Sequence, residues 1–166
     1  MRQKFEIVFT RYLQAMGNLV RSFIYSAGCL LLATAIAKFI SASGSASILH
    51  SPDPILSIKS RYVLCFLGAI EFAIGLICAF SKRQWLQAGL IAWLATNFLL
   101  YRLGLEWIGH RKPCSCLGNL TDALHISSQT ADVAMKIILA YLLIGSYTSL
   151  LWLWCQRKST AAPATM

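Results

Sequence analysis

Two cysteines separated by a single residue, Cys114 and Cys116, are the side chains of this sequence best suited to covalent redox chemistry. A disulfide between them would close a small ring that departs from relaxed geometry, which raises its reduction potential. Such a disulfide accepts electrons readily from another thiol. Pro113 fixes the backbone before the pair and Gly118 frees it afterwards, which predicts a tight turn that exposes the thiols.

The residues around the pair leave more than one chemistry open. Arg111 and Lys112 would lower the pKa of the Cys114 thiol and favour its thiolate, although both also suit a membrane interface. A metal- or haem-handling loop is a weaker alternative, because the Cys-x-Cys spacing is tighter than that of ordinary zinc sites. Its ligands would be two thiolates and two imidazoles, from Cys114, Cys116, His110 and His125. A third hypothesis is a non-catalytic membrane scaffold in which the cysteines form a structural disulfide.

The composition predicts that this loop belongs to a membrane protein. Hydrophobic residues make up 57% of the 166-residue chain, and its mean hydropathy is +0.62, which is more apolar than an ordinary soluble domain. The net charge of +9 would suggest nucleic acid as the partner of a soluble protein. Here the basic residues lie beside apolar segments, so we expect them to meet lipid head groups and expect no nucleic acid partner.

Four apolar segments approach the roughly 20 residues that cross a bilayer, at 23–40, 62–80, 85–103 and 133–154. They predict an all-α fold, an integral membrane four-helix bundle over residues 23–154. In residues 1–22 apolar side chains recur at helical spacing, which indicates an interfacial amphipathic helix rather than an extension of the first span. A cleaved signal peptide is disfavoured by the long basic region. Residues 155–166 are predicted to be a flexible cytoplasmic tail.

Glu71 lies near the centre of the second span, where a carboxylate is costly and by default marks a functional site. It lies on a helical stripe with Gly68, Gly75 and Cys78, and the glycines would allow a second helix to approach the acid. We expect Glu71 to be a proton carrier that is protonated or hydrogen-bonded inside the bundle. The competing interpretation is a structural hydrogen bond from Glu71 to Thr96 or Asn97 of the third span.

Lys38 is not expected to be a full partner for this acid. If the first two spans are centred on each other, Lys38 lies outward of Glu71 by roughly 10 Å at 1.5 Å per residue. The two can then meet only if the helices are offset or the Lys38 side chain reaches inward. At the entrance of the fourth span, Asp132 and Lys136 have the i,i+4 spacing of a local ion pair.

Four spans place both termini on one side of the membrane. Basic residues precede the first span at Arg2, Lys4, Arg11 and Arg21, which favours cytoplasmic termini. The cysteine loop then lies outside, in an oxidising compartment. Cys65 is the other thiol expected within reach of the loop, whereas Cys29, Cys78 and Cys155 are placed in the cytoplasmic half. Cys29 and Cys78 are expected to be small buried hydrophobes.

The order of these features resembles the MauE-type membrane proteins, named for methylamine utilisation, within the wider DoxX-like four-span group. The resemblance covers roughly residues 23–154, and Pro113-Cys114-Ser115-Cys116-Leu117-Gly118 is its most specific part. It departs from the family pattern at Ala35, where a glycine is expected, and at Leu117, where many relatives carry phenylalanine. The other matching positions are Ala35-Ile36-Ala37-Lys38-Phe39, Gly68-Ala69-Ile70-Glu71-Phe72-Ala73-Ile74-Gly75 and Asp132.

The resemblance implies a multi-pass protein of the bacterial inner membrane that takes part in disulfide formation or maturation of an exported enzyme subunit. Its expected partners are the lipid bilayer and an exported thiol-containing or thioredoxin-like protein. DoxX-type relatives suggest quinone-linked electron transfer, which would give electrons from Cys114 and Cys116 a destination beside Glu71. The sequence itself shows no quinone pocket, and the family name does not identify the substrate. These features favour a membrane thiol–disulfide oxidoreductase over the two alternatives.

Overall fold

The computed structural model describes residues 2–43, 59–108 and 128–161, and these residues form four helices. We label them α1 (Arg2–Ser43), α2 (Ser60–Phe80), α3 (Gln84–Trp107) and α4 (Ser128–Ala161). Each helix contains a stretch that is long and apolar enough to cross a membrane, at Gln14–Ser43, Arg61–Phe80, Gln84–Trp107 and Asp132–Lys158. The predicted all-α bundle of four spans is therefore confirmed.

Two helices extend beyond the spans predicted from the sequence. α1 runs without a break from Arg2 to Ser43, so the segment predicted as an amphipathic helix is continuous with the first span. The division of α1 at residue 22 stays a prediction. α4 continues past the predicted end of the span at Trp154 as far as Ala161, so the first part of the predicted tail is helical.

Large apolar side chains are exposed on the outside of the helices, and several polar side chains are buried within an otherwise apolar core. Phe66, Leu100 and Ile144 are each more than 60% exposed. The buried polar and charged residues are Lys38, Ser41, Glu71, Gln87, Ser146 and Ser149. This distribution suits a bilayer, because lipid accepts apolar surface while polar groups must find partners inside the protein.

α1 and α2 pack closely in antiparallel orientation along a line of small residues. A Cβ atom added to Gly75 would lie 2.7 Å from Leu32 Cγ, and one added to Gly28 would lie 2.9 Å from Cys78 Cβ. At the other end of the same contact, a Cβ on Gly68 would lie 3.4 Å from Lys38 Cβ. The prediction that the Gly68–Gly75 stripe admits a neighbouring helix is confirmed, and that helix is α1.

A buried side chain holds the short connection between α2 and α3. Gln87 Nε2 lies within hydrogen-bonding distance of three main-chain oxygens near the end of α2: Ile77 at 3.2 Å, Cys78 at 3.1 Å and Ser81 at 2.7 Å. The last carbonyls of a helix lack partners within that helix, and inside a bilayer they must find other donors. Gln87 of α3 therefore serves as the cap of α2.

α4 completes the bundle by packing against α1 and α3. A Cβ on Gly145 would lie 2.1 Å from the ring of Phe23, so the absence of a side chain makes room for that ring. The Ser26 hydroxyl lies 2.7 Å from the Tyr141 hydroxyl, and the Thr96 hydroxyl lies 3.0 Å from that of Tyr147. These contacts set α4 antiparallel to both neighbours.

Candidate functional site: a buried ion pair between the first two helices

The structure gives Glu71 a full ionic partner inside the bundle. Lys38 Nζ donates to both carboxylate oxygens, at 2.7 Å to Oε1 and 2.8 Å to Oε2. The side chains of Lys38 and Glu71 are only 4% and 2% exposed. Thr34 Oγ1 lies 3.1 Å from Glu71 Oε2 and 3.0 Å from Leu31 O, so its single hydrogen can serve either acceptor. The carboxylate thus meets donors from two positions of α1.

The expectation that Lys38 lies too far outward was therefore wrong. Gly68 contacts Lys38, and Thr34, four residues earlier in α1, reaches Glu71, so α1 is displaced along α2 relative to centred spans. The remaining separation is closed by side-chain direction. Helical side chains lean toward the N-terminus of their own helix, so in an antiparallel pair Lys38 and Glu71 lean toward each other.

The alternative partners expected from α3 do not contact Glu71. Asn97 Nδ2 donates to Trp93 O in its own helix, and Thr96 Oγ1 donates to Ala92 O and meets Tyr147. The interpretation of Glu71 as a group held by Thr96 or Asn97 is corrected by this arrangement. α3 instead contributes Phe98, whose ring centroid lies 5.7 Å from Lys38 Nζ. The ion pair therefore lies where three helices meet.

Replacing either member alone would leave the other charge buried without its partner. The cost of such a change is about 3–5 kcal/mol, although the intact pair itself adds little stability over apolar residues. A gain in stability therefore does not explain why this ion pair is buried. Buried charges in membrane spans more often serve a function, such as proton transfer.

A second ionic contact ties the ends of α3 and α4 together. Arg102 Nη2 pairs with Asp132 Oδ1, and Lys136 Nζ lies 2.9 Å from Asp132 Oδ2. The predicted Asp132–Lys136 local ion pair is confirmed, and the bond to Arg102 is a feature that sequence reasoning missed. Together these contacts fix the two helix ends from which residues 109–127 continue.

The two cysteines predicted to act as the redox pair, Cys114 and Cys116, lie outside the described residues, as do His110 and His125. The bundle nevertheless determines where their segment is attached. It joins the end of α3 to the start of α4, at the end of the bundle where α1 finishes and α2 begins. Lys38 and Phe98 are in contact toward that same end.

The remaining cysteines occupy three kinds of environment. Cys78 is fully buried against Gly28, as predicted for a small hydrophobic residue. Cys29 is exposed, which corrects the expectation that it is buried. Cys155 is also exposed, near the end of α4. Cys65 is partly buried beside Ala42, toward the end that carries the cysteine segment.

Comparison with known proteins identifies one similarity. The family model described as "Methylamine utilisation protein MauE" matches residues 16–155, which is most of the chain and includes both the ion pair and the cysteine segment. No curated protein and no solved structure matches the chain. With its four apolar helices, the match identifies a multi-pass membrane protein.

Proposed function

The chain belongs to the MauE family, and from this membership we propose that it supports thiol–disulfide exchange for an exported partner protein. Cys114 and Cys116 form the redox pair, and the Lys38–Glu71 ion pair handles the protons that accompany their oxidation. The observation that carries the proposal is this buried pair, located toward the end of the bundle to which the cysteine segment is attached. The expected location is the bacterial inner membrane, with both termini in the cytoplasm.

The exchange itself needs only the two cysteines and two substrate thiols. A substrate thiolate attacks the Cys114–Cys116 disulfide, which forms a mixed disulfide and releases one thiolate of the pair. A second substrate thiolate then attacks the mixed disulfide. The substrate leaves with a new disulfide, and the pair is left reduced, having taken up two electrons and, with them, two protons.

Reoxidation of the pair returns two electrons and two protons to an acceptor. A membrane quinone would supply that two-electron chemistry when bound. Lys38 has three N–H bonds, of which two go to the carboxylate, so the third would be the group that donates to a quinone carbonyl. In this proposal Glu71 accepts a proton at a carboxylate oxygen, and the Lys38 ammonium stabilises the carboxylate once that proton has left.

A structural disulfide is the competing function, and replacement of the cysteines separates the two. Cys114→Ser and Cys116→Ser should each abolish disulfide formation in the partner while leaving the abundance of the protein in the membrane unchanged. The matched control is Cys155→Ser, which should affect neither quantity. Loss of the protein itself in the Cys114 or Cys116 variants would favour the structural disulfide and contradict the proposal.

Labelling of thiols in intact cells tests the orientation. A membrane-impermeant maleimide should label Cys114 or Cys116 after mild reduction, whereas Cys155 should react only after the membrane is permeabilised. The reverse pattern would contradict the cytoplasmic placement of the termini.

A further inference from the structure

A basic cleft lies at the end of the bundle where α2 finishes and α3 begins. It has a volume of about 830 Å³ and lies between the start of α3 and the end of α4. Its walls include three cations and three large apolar side chains, namely Lys82, Arg83, Arg157, Trp85, Leu86 and Leu153. The volume is within the ~300–1,000 Å³ of typical ligand sites.

All of the described charged side chains that line this cleft are positive. Among the described residues, none that lines the cleft is acidic. The N-terminus of α3 also faces this region and adds partial positive charge from its first peptide N–H groups. The cleft therefore favours an anion.

The aromatic wall indicates which class of anion is favoured. The Arg157 guanidinium lies 4.8 Å from the centroid of the Trp85 ring, a cation–π contact that holds a planar donor at the cleft wall. Guanidinium groups bind phosphate through paired N–H bonds. Tryptophan beside basic residues at the end of a membrane span is typical of the level at which lipid head groups lie.

We propose that this cleft binds the phosphate of an anionic phospholipid, with Lys82, Arg83 and Arg157 as its ligands. A free phosphate ion would bind the same cations, but it would gain no favourable contact from the apolar surfaces of Trp85, Leu86 and Leu153. These apolar residues lie near the ends of two helices that are long enough to cross the bilayer. They can receive the glycerol and the upper acyl chain of a lipid whose phosphate meets the cations.

Lipid titration of the purified full-length protein tests the assignment, with native mass spectrometry to measure dissociation constants. The probes are dioleoyl-phosphatidylglycerol and dioleoyl-phosphatidylcholine, which share acyl chains and differ in net charge, and inorganic phosphate as competitor. We expect the anionic lipid to bind at least about tenfold more tightly than the zwitterionic one. Arg157→Gln should weaken binding of the anionic lipid about fivefold, and Arg157→Lys should weaken it less.

A pair of triple variants separates a built site from general attraction to positive charge. One replaces the three cations of the cleft by glutamine. The matched control replaces three cations toward the same end of the bundle that do not line the cleft, Arg11, Arg21 and Lys158. The cleft triple should lose at least about 20-fold in affinity for the anionic lipid, and the control less than about threefold.

Three results would overturn the proposal. Equal loss in both triple variants would mean that the lipid responds only to net charge. Inorganic phosphate that binds as tightly as the lipid would assign the cleft to a free ion. If Arg157→Gln and the cleft triple keep their affinity for the anionic lipid, with thermal unfolding unchanged, these residues do not bind the lipid.

Discussion

Removing Lys38 and Glu71 separately and together gives the sharpest test of the site, because a buried ion pair has a distinctive energetic signature. Lys38→Met leaves a carboxylate that is 2% exposed without its counter-ion, and Glu71→Leu leaves an ammonium that is 4% exposed without its counter-ion. Each single change should lower the free energy of unfolding by about 3–5 kcal/mol. That loss is a large share of the ~5–15 kcal/mol typical of folded proteins.

The double variant Lys38→Met/Glu71→Leu should regain most of this stability. It replaces both charges by apolar side chains of similar size, a change that is often neutral or stabilising. The coupling between the two positions should then be at least about 3 kcal/mol. Thermal unfolding of the purified protein in detergent and the abundance of each variant in membranes measure the effect. Lys136→Met is the matched control, since that lysine side chain is 58% exposed and its loss should cost at most about 1 kcal/mol.

The same double variant separates folding from function. If the ion pair moves protons, the folded double variant should accumulate reduced Cys114 and Cys116, as measured by acid quenching and alkylation of thiols in cells. Normal reoxidation of the cysteines in the double variant would refute the role of the pair in proton transfer. A double variant whose loss of stability equals the sum of the two single losses would refute the coupling itself.

Two other contacts of the bundle give further predictions. Gly75→Ala should lower the free energy of unfolding by about 1–3 kcal/mol, because its Cβ would lie 2.7 Å from the α1 side chain of Leu32. Gly89→Ala is the control, since no atom lies within 4 Å of its Cβ, and it should leave thermal unfolding unchanged or raise its temperature. Gln87→Leu should cost about 1–3 kcal/mol, because carbonyls at the end of α2 lose their donor. If Gly75→Ala or Gln87→Leu has the same thermal unfolding temperature as the native chain, the corresponding contact is contradicted.

The four spans could be predicted from the sequence because a bilayer imposes a length and a composition on any helix that crosses it. The ends of the helices were harder to predict. The sequence placed the end of the fourth span at Trp154, yet α4 continues to Ala161, because the end of hydrophobicity is not a signal for the end of a helix. The stripe of Gly68 and Gly75 predicted close approach correctly, since small residues at helical spacing admit a neighbouring backbone.

The partner of Glu71 could not be predicted with the same certainty, because pairing depends on how far one helix is shifted along another. Centred spans separate Lys38 from Glu71, and a modest shift brings them together. The signal that could have identified the pair was in the sequence. Lys38 and Glu71 are opposite charges within neighbouring apolar spans, and each lowers the cost of burying the other. Gln87 and Arg102 gave no comparable signal, since polar residues near span ends also suit the membrane interface.

Capture of a substrate on a single cysteine of the pair tests the central claim most directly. In a variant that keeps Cys114 and carries Cys116→Ser, or the reverse, the remaining thiolate can attack the disulfide of an oxidised exported partner, which forms a mixed disulfide and releases one partner thiolate. The variant lacks the second thiol of the pair that would resolve this adduct, so the mixed disulfide should accumulate. Non-reducing electrophoresis and mass spectrometry of the purified variant should identify this adduct, which should disappear on reduction and be absent from the double serine variant. If neither single variant forms an adduct while partner proteins still acquire their disulfides, the claim that Cys114 and Cys116 carry out the exchange is contradicted.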